Sequence, residues 1–456
     1  MKACQTVQEV IAHTIQVQAR GLAAPMNTLT KEFIRAQMRR DCESLGLRDL
    51  DRDIPPVVHV AGTKGKGSTC ALVESILRQG KLRTGLFTSP HLVDIRERIR
   101  LNGKLLPRQE FDDHVMTTYK LLGVERMETI GFFQFLTLAM FRIFALKRHE
   151  VDVLILETGI GGRLDFTNCV DSPVCCAITR LDFDHVSLLG NTLELIAGEK
   201  AGIAKSKTRL FTLASQPALL PVIQHCCDQV GAVMETVEPL DASKFDIGIK
   251  GGAHQLENAA LASAMARVVF AKLNPRLLER QDAMNETIAV GLATCRFPGR
   301  AQVEKMLSNQ VTCYLDGAHT PISVECAAKW FQSTAMDQGT TPKKKRALVF
   351  HCSADRNPKH LLEIIRHECT FDYVFMVPPT SGPRSPAGYH DQLVQYWNEL
   401  NSTKATVVET CSPLALKQRL SDLPEITQVL VVGSFFLVGD ALQFWVEDWN
   451  VEQAFV

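Results

Sequence analysis

The apolar run Val57-Val58-His59-Val60-Ala61 passes without a linker into Gly62-Thr63-Lys64-Gly65-Lys66-Gly67-Ser68-Thr69. β-Branched residues in succession favour an extended strand buried on both faces. Glycines at 62, 65 and 67 then permit a tight turn, and helical periodicity resumes from Ser68 to Gln79. Strand, glycine-rich turn with a lysine, and helix in that order lay backbone N–H groups and one ammonium against a polyphosphate. The spacing departs from G-x-x-x-x-G-K-[ST], because Val60 stands five before Gly65 and Gly67 follows the lysine. An ordinary glycine-rich βα turn therefore competes for this segment taken alone.

The rest of the chain repeats the alternation. Strand-like runs cover Pro56–Ala61, Arg83–Ser89, Val151–Glu157, Val174–Leu181 and Arg209–Ala214. Helical periodicity covers Phe132–Lys147, Leu193–Ala204, Leu219–Val230 and His254–Ala271. A second series of strands, Val311–Leu315, Arg346–His351, Tyr373–Pro378, Ala405–Glu409 and Gln428–Val432, follows the break Arg296-Phe297-Pro298-Gly299-Arg300. Such alternation predicts an α/β fold, with mostly parallel sheets covered by helices on both faces. At 456 residues the chain exceeds one core, so two domains are expected, 1–296 and 297–456.

Lysine plus arginine equal aspartate plus glutamate at 50 each, a balance that gives no field for nucleic acid or an anionic membrane. A small-molecule partner is favoured. The basic run Lys343–Arg346 reads as a solvated loop. Fourteen cysteines are scattered without a C-x-x-C pair, and Cys175 and Cys176 lie in an apolar run. His225-Cys226-Cys227 reads as core packing rather than a metal site. A reducing compartment follows, cytoplasmic, with the mitochondrion as the alternative, since Glu9 and the lack of an arginine-rich pattern argue against a transit peptide. Phe132–Leu146 is too short to span a bilayer and holds Gln134 and Arg142.

In open parallel sheets, ligands bind outside the carboxyl ends of strands. Lys66, Ser89, Glu157 and Asp184-His185 all fall there, as do Asp316 and Ser434 in the second series. Each alone has a bland reading as a helix cap or packed side chain, but the recurrence at one edge does not. Ser89, Glu157 and His185 offer a hydroxyl, a carboxylate and an imidazole, a set that suits magnesium shared with phosphate oxygens. Arg300, Asp316 and His319 would then face the nucleotide from the second domain, in a cleft between the two.

These residues stand within an ordered set of motifs: Gly62–Ser68; Thr88-Ser89-Pro90-His91-Leu92 with Arg96-Glu97-Arg98-Ile99-Arg100; Glu157-Thr158-Gly159-Ile160-Gly161-Gly162-Arg163-Leu164-Asp165; Asp184-His185 with Leu189-Gly190; Glu199-Lys200-Ala201-Gly202-Ile203; His254–Ala259; Phe297–Arg300; and Asp316-Gly317-Ala318-His319. From about residue 57 to 440 the set resembles the folylpolyglutamate synthase and dihydrofolate synthase family of the Mur ligase superfamily. The resemblance implies a P-loop-type parallel sheet domain followed by a smaller Rossmann-like α/β domain. It implies that Gly62, Thr63, Gly65, Lys66, Gly67 and Ser68 hold the ATP phosphates, with Asn258, Arg300 and Asp316 as further nucleotide contacts. Ser89, Glu157 and His185 are implied magnesium ligands, Lys66, Arg300 and His319 catalytic groups, and Lys200 the lysine that is carbamylated in many members. A monovalent cation is an optional companion. Gln134 departs from the Glu of bacterial relatives, and Phe435-Phe436 from Leu with Tyr or His.

The implied reaction is ATP-dependent ligation of L-glutamate to the γ-carboxyl of a tetrahydrofolate through an acyl phosphate, in one-carbon metabolism, by a monomer binding neither nucleic acid nor membrane. Dihydrofolate synthase, alone or as a bifunctional enzyme, is the nearest alternative. A peptidoglycan-type amino-acid ligase and a nucleotide-binding scaffold without ligase activity stand further off.

Overall fold

The computed structural model describes residues 4–20, 30–306, 310–335, 345–382, 385–400 and 407–455. Of the expected features, Lys343 and Lys344 of the basic run and Ala405 and Thr406 of a strand lie outside the described residues. The chain forms two compact units. One comprises 1–89, 96–248 and 253–295, and the other 90–95, 249–252 and 296–456.

The first unit is built on strands β1 (Val57–Ala61), β2 (Thr84–Phe87), β3 (Ile99–Leu101), β4 (Lys104–Leu105), β5 (Val153–Glu157), β6 (Cys175–Ile178), β7 (Arg209–Leu213) and β8 (Val233–Val237). They form one sheet in the order β4-β3-β2-β5-β1-β6-β7-β8. β2 to β8 along that order pair in parallel, while β3 and β4 add an antiparallel edge. β1 lies inside the sheet, and all five of its residues are buried. Continuous apolar runs made the inner strands readable. β3, β4 and β8 escaped the sequence reading because they are short or half-exposed edge strands, where the apolar pattern weakens.

The helix after the glycine turn spans Lys66–Gln79 and packs against His254–Leu273 and Gln281–Thr294. It begins two residues earlier than its apolar periodicity indicates. Gly65 takes the left-handed conformation at φ 88° as its N-cap, so Lys66 sits in the first turn. Its Glu74 carboxylate is buried with the Arg100 guanidinium at 3.2 Å, and also receives the Gly103 N–H at 3.0 Å. Gln134 donates to the buried Asp41 carboxylate at 3.2 Å, which Arg126 grips with two bonds of 2.7 Å. A glutamate at 134 would set two carboxylates together, whereas the Gln134 amide donates to Asp41.

The second unit carries β9 (Gln302–Met306), β10 (Val311–Leu315), β11 (Lys345–Phe350), β12 (Tyr373–Met376), β13 (Val407–Thr410) and β14 (Ile426–Val432), in the order β13-β12-β11-β14-β10-β9. Only β9 runs antiparallel. Alternate residues feed two cores: Leu348, Phe350, Leu430 and Val432 enter one, and Ala347, Val349, Val429 and Val431 the other. That period of two means both faces are covered. All fourteen cysteines are free thiols, ten of them buried, and Cys227 lies in a core cluster with Ile223.

Candidate active site

In the first unit, the glycine turn is tied to β6 and its following loop. The Thr63 and Lys64 N–H groups both donate to the Arg180 carbonyl at 3.0 Å, and the Thr63 hydroxyl donates to the Asp182 carbonyl. Lys64 meets Asp184 at 3.1 Å. Lys200, on the helix Leu193–Ala201, donates to the Gly62 carbonyl at 2.8 Å. Lys64 and Lys200 are thus committed to protein groups. The Lys66 ammonium makes no hydrogen bond or ion pair among the described residues, and it stands in the first turn of its helix with Gly67 and Ser68 buried beside it. A cation at a helix N-terminus is unfavourable without an anion nearby, because the amides there already carry positive charge. A polyphosphate would supply that anion.

Asn258 presses on the same loop. A side chain at Gly65 would place its Cβ 2.2 Å from Asn258 Oδ1, so glycine is required by contact as well as by φ. Asn258 also receives the Thr69 hydroxyl at 3.4 Å and donates to Gln255 at 2.9 Å. Its neighbour Glu257 takes two bonds from Arg180, of 3.0 and 2.6 Å, and one from Ser215 at 2.7 Å.

Glu157 ends β5, is buried, and accepts the Ser89 N–H at 2.8 Å. Two of the three expected magnesium ligands are therefore side by side. His185 follows β6, two strands from β5, at φ 49° with its side chain 39 % exposed and 3.9 Å from Asp184. Among the described residues no group of three or more histidine, cysteine, aspartate or glutamate side chains is arranged to hold a metal. The donor set that does gather, one buried carboxylate with a hydroxyl-bearing neighbour, fits a hard cation that completes its shell with phosphate and water oxygens. Burial pushes the Arg98 guanidinium down to about 10, against the opposing pull of Glu157. Arg98 also lies 5.1 Å over the Phe132 ring.

Burial, then the Lys66 cation, pushes Lys200 down from 10.5 to about 7. An amine near neutrality at physiological pH can react with carbon dioxide, which an ammonium cannot.

In the second unit, Asp316 directly follows β10. Its two carboxylate oxygens accept the Ala301 and Ala318 N–H groups, each at 2.8 Å. The Gly317 N–H donates to Gly299, so the Phe297–Arg300 break and the Asp316–His319 turn form one structure. Arg300 lies 3.9 Å over the Phe435 ring, and His319 meets the same ring edge-on at 5.5 Å. Phe435 opens the helix Phe435–Phe444, whose N-cap is Ser434. The fold thus brings Arg300 and His319 together on an aromatic ring to which the sequence reading gave no role, with Asp316 bracing the adjoining turns. Asp165 and Arg98 were given no role from the sequence, and Asp184 was placed at its strand end without its pairing to Lys64. Asp165 closes the Glu157–Asp165 motif and Arg98 lies within Arg96–Arg100, which is the signal the sequence offered for them.

Comparison with known proteins follows the same lines. The chain is 35 % identical over 471 residues to a folylpolyglutamate synthase of Arabidopsis thaliana, covering 88 % of this chain and 82 % of that one. It is 33 % identical over 403 residues to the mitochondrial folylpolyglutamate synthase of Homo sapiens, covering 79 % and 68 %. No protein-family model matches. Among solved structures, E. coli FolC in complex with DHPP and ADP shares the fold at 24 % identity and a TM-score of 0.74, over 97 % of this chain and 98 % of that one. A bifunctional folylpolyglutamate synthase/dihydrofolate synthase with Mn, AMPPNP and L-glutamate bound is 26 % identical, with a TM-score of 0.69 over 91 % and 94 %.

Proposed function

The chain belongs to the folylpolyglutamate synthase family, and from that premise we infer that it is an ATP-dependent ligase adding L-glutamate to the γ-carboxyl of a tetrahydrofolate. The observation that carries this is kinship along most of the chain with curated folylpolyglutamate synthases. The committed Lys64 and Lys200 around an uncommitted Lys66 give it a physical basis.

A carboxylate is a poor electrophile toward an amine. Transfer of the ATP γ-phosphoryl group to the folate carboxylate gives an acyl phosphate, and attack by the glutamate amine then forms the amide and expels phosphate. Two anions must first approach one another, so positive charge at the transferring group dominates catalysis. Lys66 takes the ATP phosphates together with the turn residues Gly62, Thr63, Gly65, Gly67 and Ser68, the Thr63 and Lys64 N–H groups being held by the Arg180 carbonyl. Arg300 contributes further positive charge, with Asp316 and Asn258 as nucleotide contacts and His319 as a group acting on the reacting centre. Ser89, Glu157 and His185 would hold magnesium, which would neutralise phosphate charge. Lys200 stands where many family members carry a carbamylated lysine, and its near-neutral amine would accept carbon dioxide there. ATP and a divalent cation are the cofactors.

No helix among the described residues is long and apolar enough to cross a membrane. We place the protein in the cytoplasm as a monomer, with the functional division after Arg296. The test is incorporation of labelled glutamate with ATP and magnesium into tetrahydrofolate and dihydropteroate in parallel. Product from tetrahydrofolate alone upholds the reading. Product from both makes the enzyme bifunctional, product from dihydropteroate alone makes it a dihydrofolate synthase, and product from neither overturns it.

A further inference from the structure

We propose that Asp165 is a positioning residue, a buried brace that fixes the turn after Glu157 against the helix carrying Lys200. This rests on the reading that Glu157 ligates the divalent cation.

The Asp165 carboxylate is buried and accepts four hydrogen bonds. The N–H groups of Gly159 and Ile160 donate to Oδ2 at 2.9 and 3.2 Å, and the Thr167 N–H and hydroxyl donate to Oδ1 at 2.9 and 2.5 Å. Gly159 and Ile160 lie two and three residues beyond Glu157, so the carboxylate holds the chain as it leaves β5. Burial raises the Asp165 carboxyl while these donors pull it back. Four donors converging on one carboxylate favour the anion over any neutral replacement.

Each side of the brace is anchored. The Thr167 hydroxyl spends its proton on Asp165, so at 2.8 Å from His59 Nε2 it must accept the histidine N–H. His59 is fully buried on β1, and burial and the Lys205 cation hold it neutral, down to about 3. The tautomer that donates from Nε2 is thereby fixed, and Asp165 is registered to the strand that feeds the glycine turn. On the other side, the Arg163 N–H donates to the Glu199 carbonyl at 2.7 Å, and Asn168 donates to the Gly202 carbonyl at 3.0 Å. A Cβ at Gly162 would lie 2.7 Å from the Lys200 carbonyl oxygen, so turn and helix touch backbone to backbone. Asp165 is also close enough to Lys200 for its charge to act on that amine. The carboxylate thus ties the Glu157 turn to Thr167 and through it to β1, and the loop it closes, from Gly162 to Asn168, docks on the last turn of the Lys200 helix.

Asp165→Asn keeps the shape but turns an NH2 toward N–H donors, so at least one pair faces donor to donor. Thr167→Val leaves the carboxylate and removes the link to His59. The experiment measures Mn2+ affinity in the presence of AMPPNP by the electron paramagnetic resonance of free Mn2+, with amide hydrogen exchange at Gly159 and Ile160 as a second readout. Partners that orient a metal ligand typically hold about 10–100-fold in affinity. Asp165→Asn is expected to weaken Mn2+ binding by at least tenfold and to speed exchange at both amides, and Thr167→Val to do the same more weakly. Wild-type affinity and exchange in Asp165→Asn overturn the brace. If Asp165→Asn does not fold, wild-type values in Thr167→Val overturn it instead. Glu157→Gln in the same titration separates the two readings. Unchanged Mn2+ affinity there removes Glu157 as a ligand, and the exchange readout alone then upholds or overturns Asp165.

Discussion

Replacing Lys200 with methionine keeps the length of the side chain and removes its charge. Lys200 is 3 % exposed, and its folded value of about 7 compares with 10.5 in the unfolded chain. A separation of roughly 3.5 units at about 1.36 kcal/mol per unit is on the order of 5 kcal/mol against folding. The sign follows from proton binding. Between about pH 7 and 10.5 the unfolded chain keeps the proton and the folded chain does not, so stability from this group rises with pH. Below about pH 7 both states are protonated and the whole penalty is present. The variant escapes it but loses the 2.8 Å bond to the Gly62 carbonyl. An unmet buried carbonyl costs about 1–3 kcal/mol. Lys200→Met is therefore expected to be more stable than wild type by roughly 2–4 kcal/mol at pH 6–7. The advantage shrinks by up to about 1.4 kcal/mol per pH unit above that. Urea unfolding at pH 6, 7, 8 and 9 in buffer purged of carbon dioxide measures it. Parallel stability profiles for the two proteins would refute the reasoning. In bicarbonate the wild type should gain stability and show a carbamate carbon resonance from 13C-labelled bicarbonate, and the variant neither. Activity of the variant should fall, which separates its stability from its function.

Lys66→Ala is expected to lower kcat/KM for ATP by at least 100-fold with an unchanged melting temperature, since the ammonium has no partner among the described residues to lose; near wild-type turnover would remove Lys66 from the phosphate site. Gly65→Ala must place a side chain at φ 88° against Asn258, which costs about 1–2 kcal/mol in backbone strain alone. Its KM for ATP should rise, and an unchanged KM would show that the loop shape is not what binds. Glu74→Ala removes the carboxylate bonded to the buried Arg100 guanidinium and is expected to cost about 3–5 kcal/mol in urea unfolding. The double variant Glu74→Leu with Arg100→Leu should recover much of that loss, and a double variant as unstable as the single one would contradict the account.

Much of this protein is set by local sequence. Pro56–Ala61, Val151–Glu157 and Gln428–Val432 read as inner strands because burial on both faces keeps them mostly apolar, with few polar positions such as His59 and Glu157 to break the run. The glycine turn and its lysine are equally local, since tight backbone and phosphate contact both require glycine within a few residues. What only the tertiary structure decided is pairing at long range. Lys64 and Asp184 stand 120 residues apart, yet their ion pair is what leaves Lys66 as the uncommitted ammonium of the loop. Phe435 became a platform for Arg300 only because β10 and β14 are neighbours in the sheet. The edge strands Val233–Val237 and Gln302–Met306 likewise exist because a neighbour offers hydrogen bonds, not because their side chains demand a strand. Sequence determines which segments must be buried and where the chain can turn. The choice of which polar groups satisfy one another belongs to the fold, because a buried charge takes whatever partner the packing brings within reach.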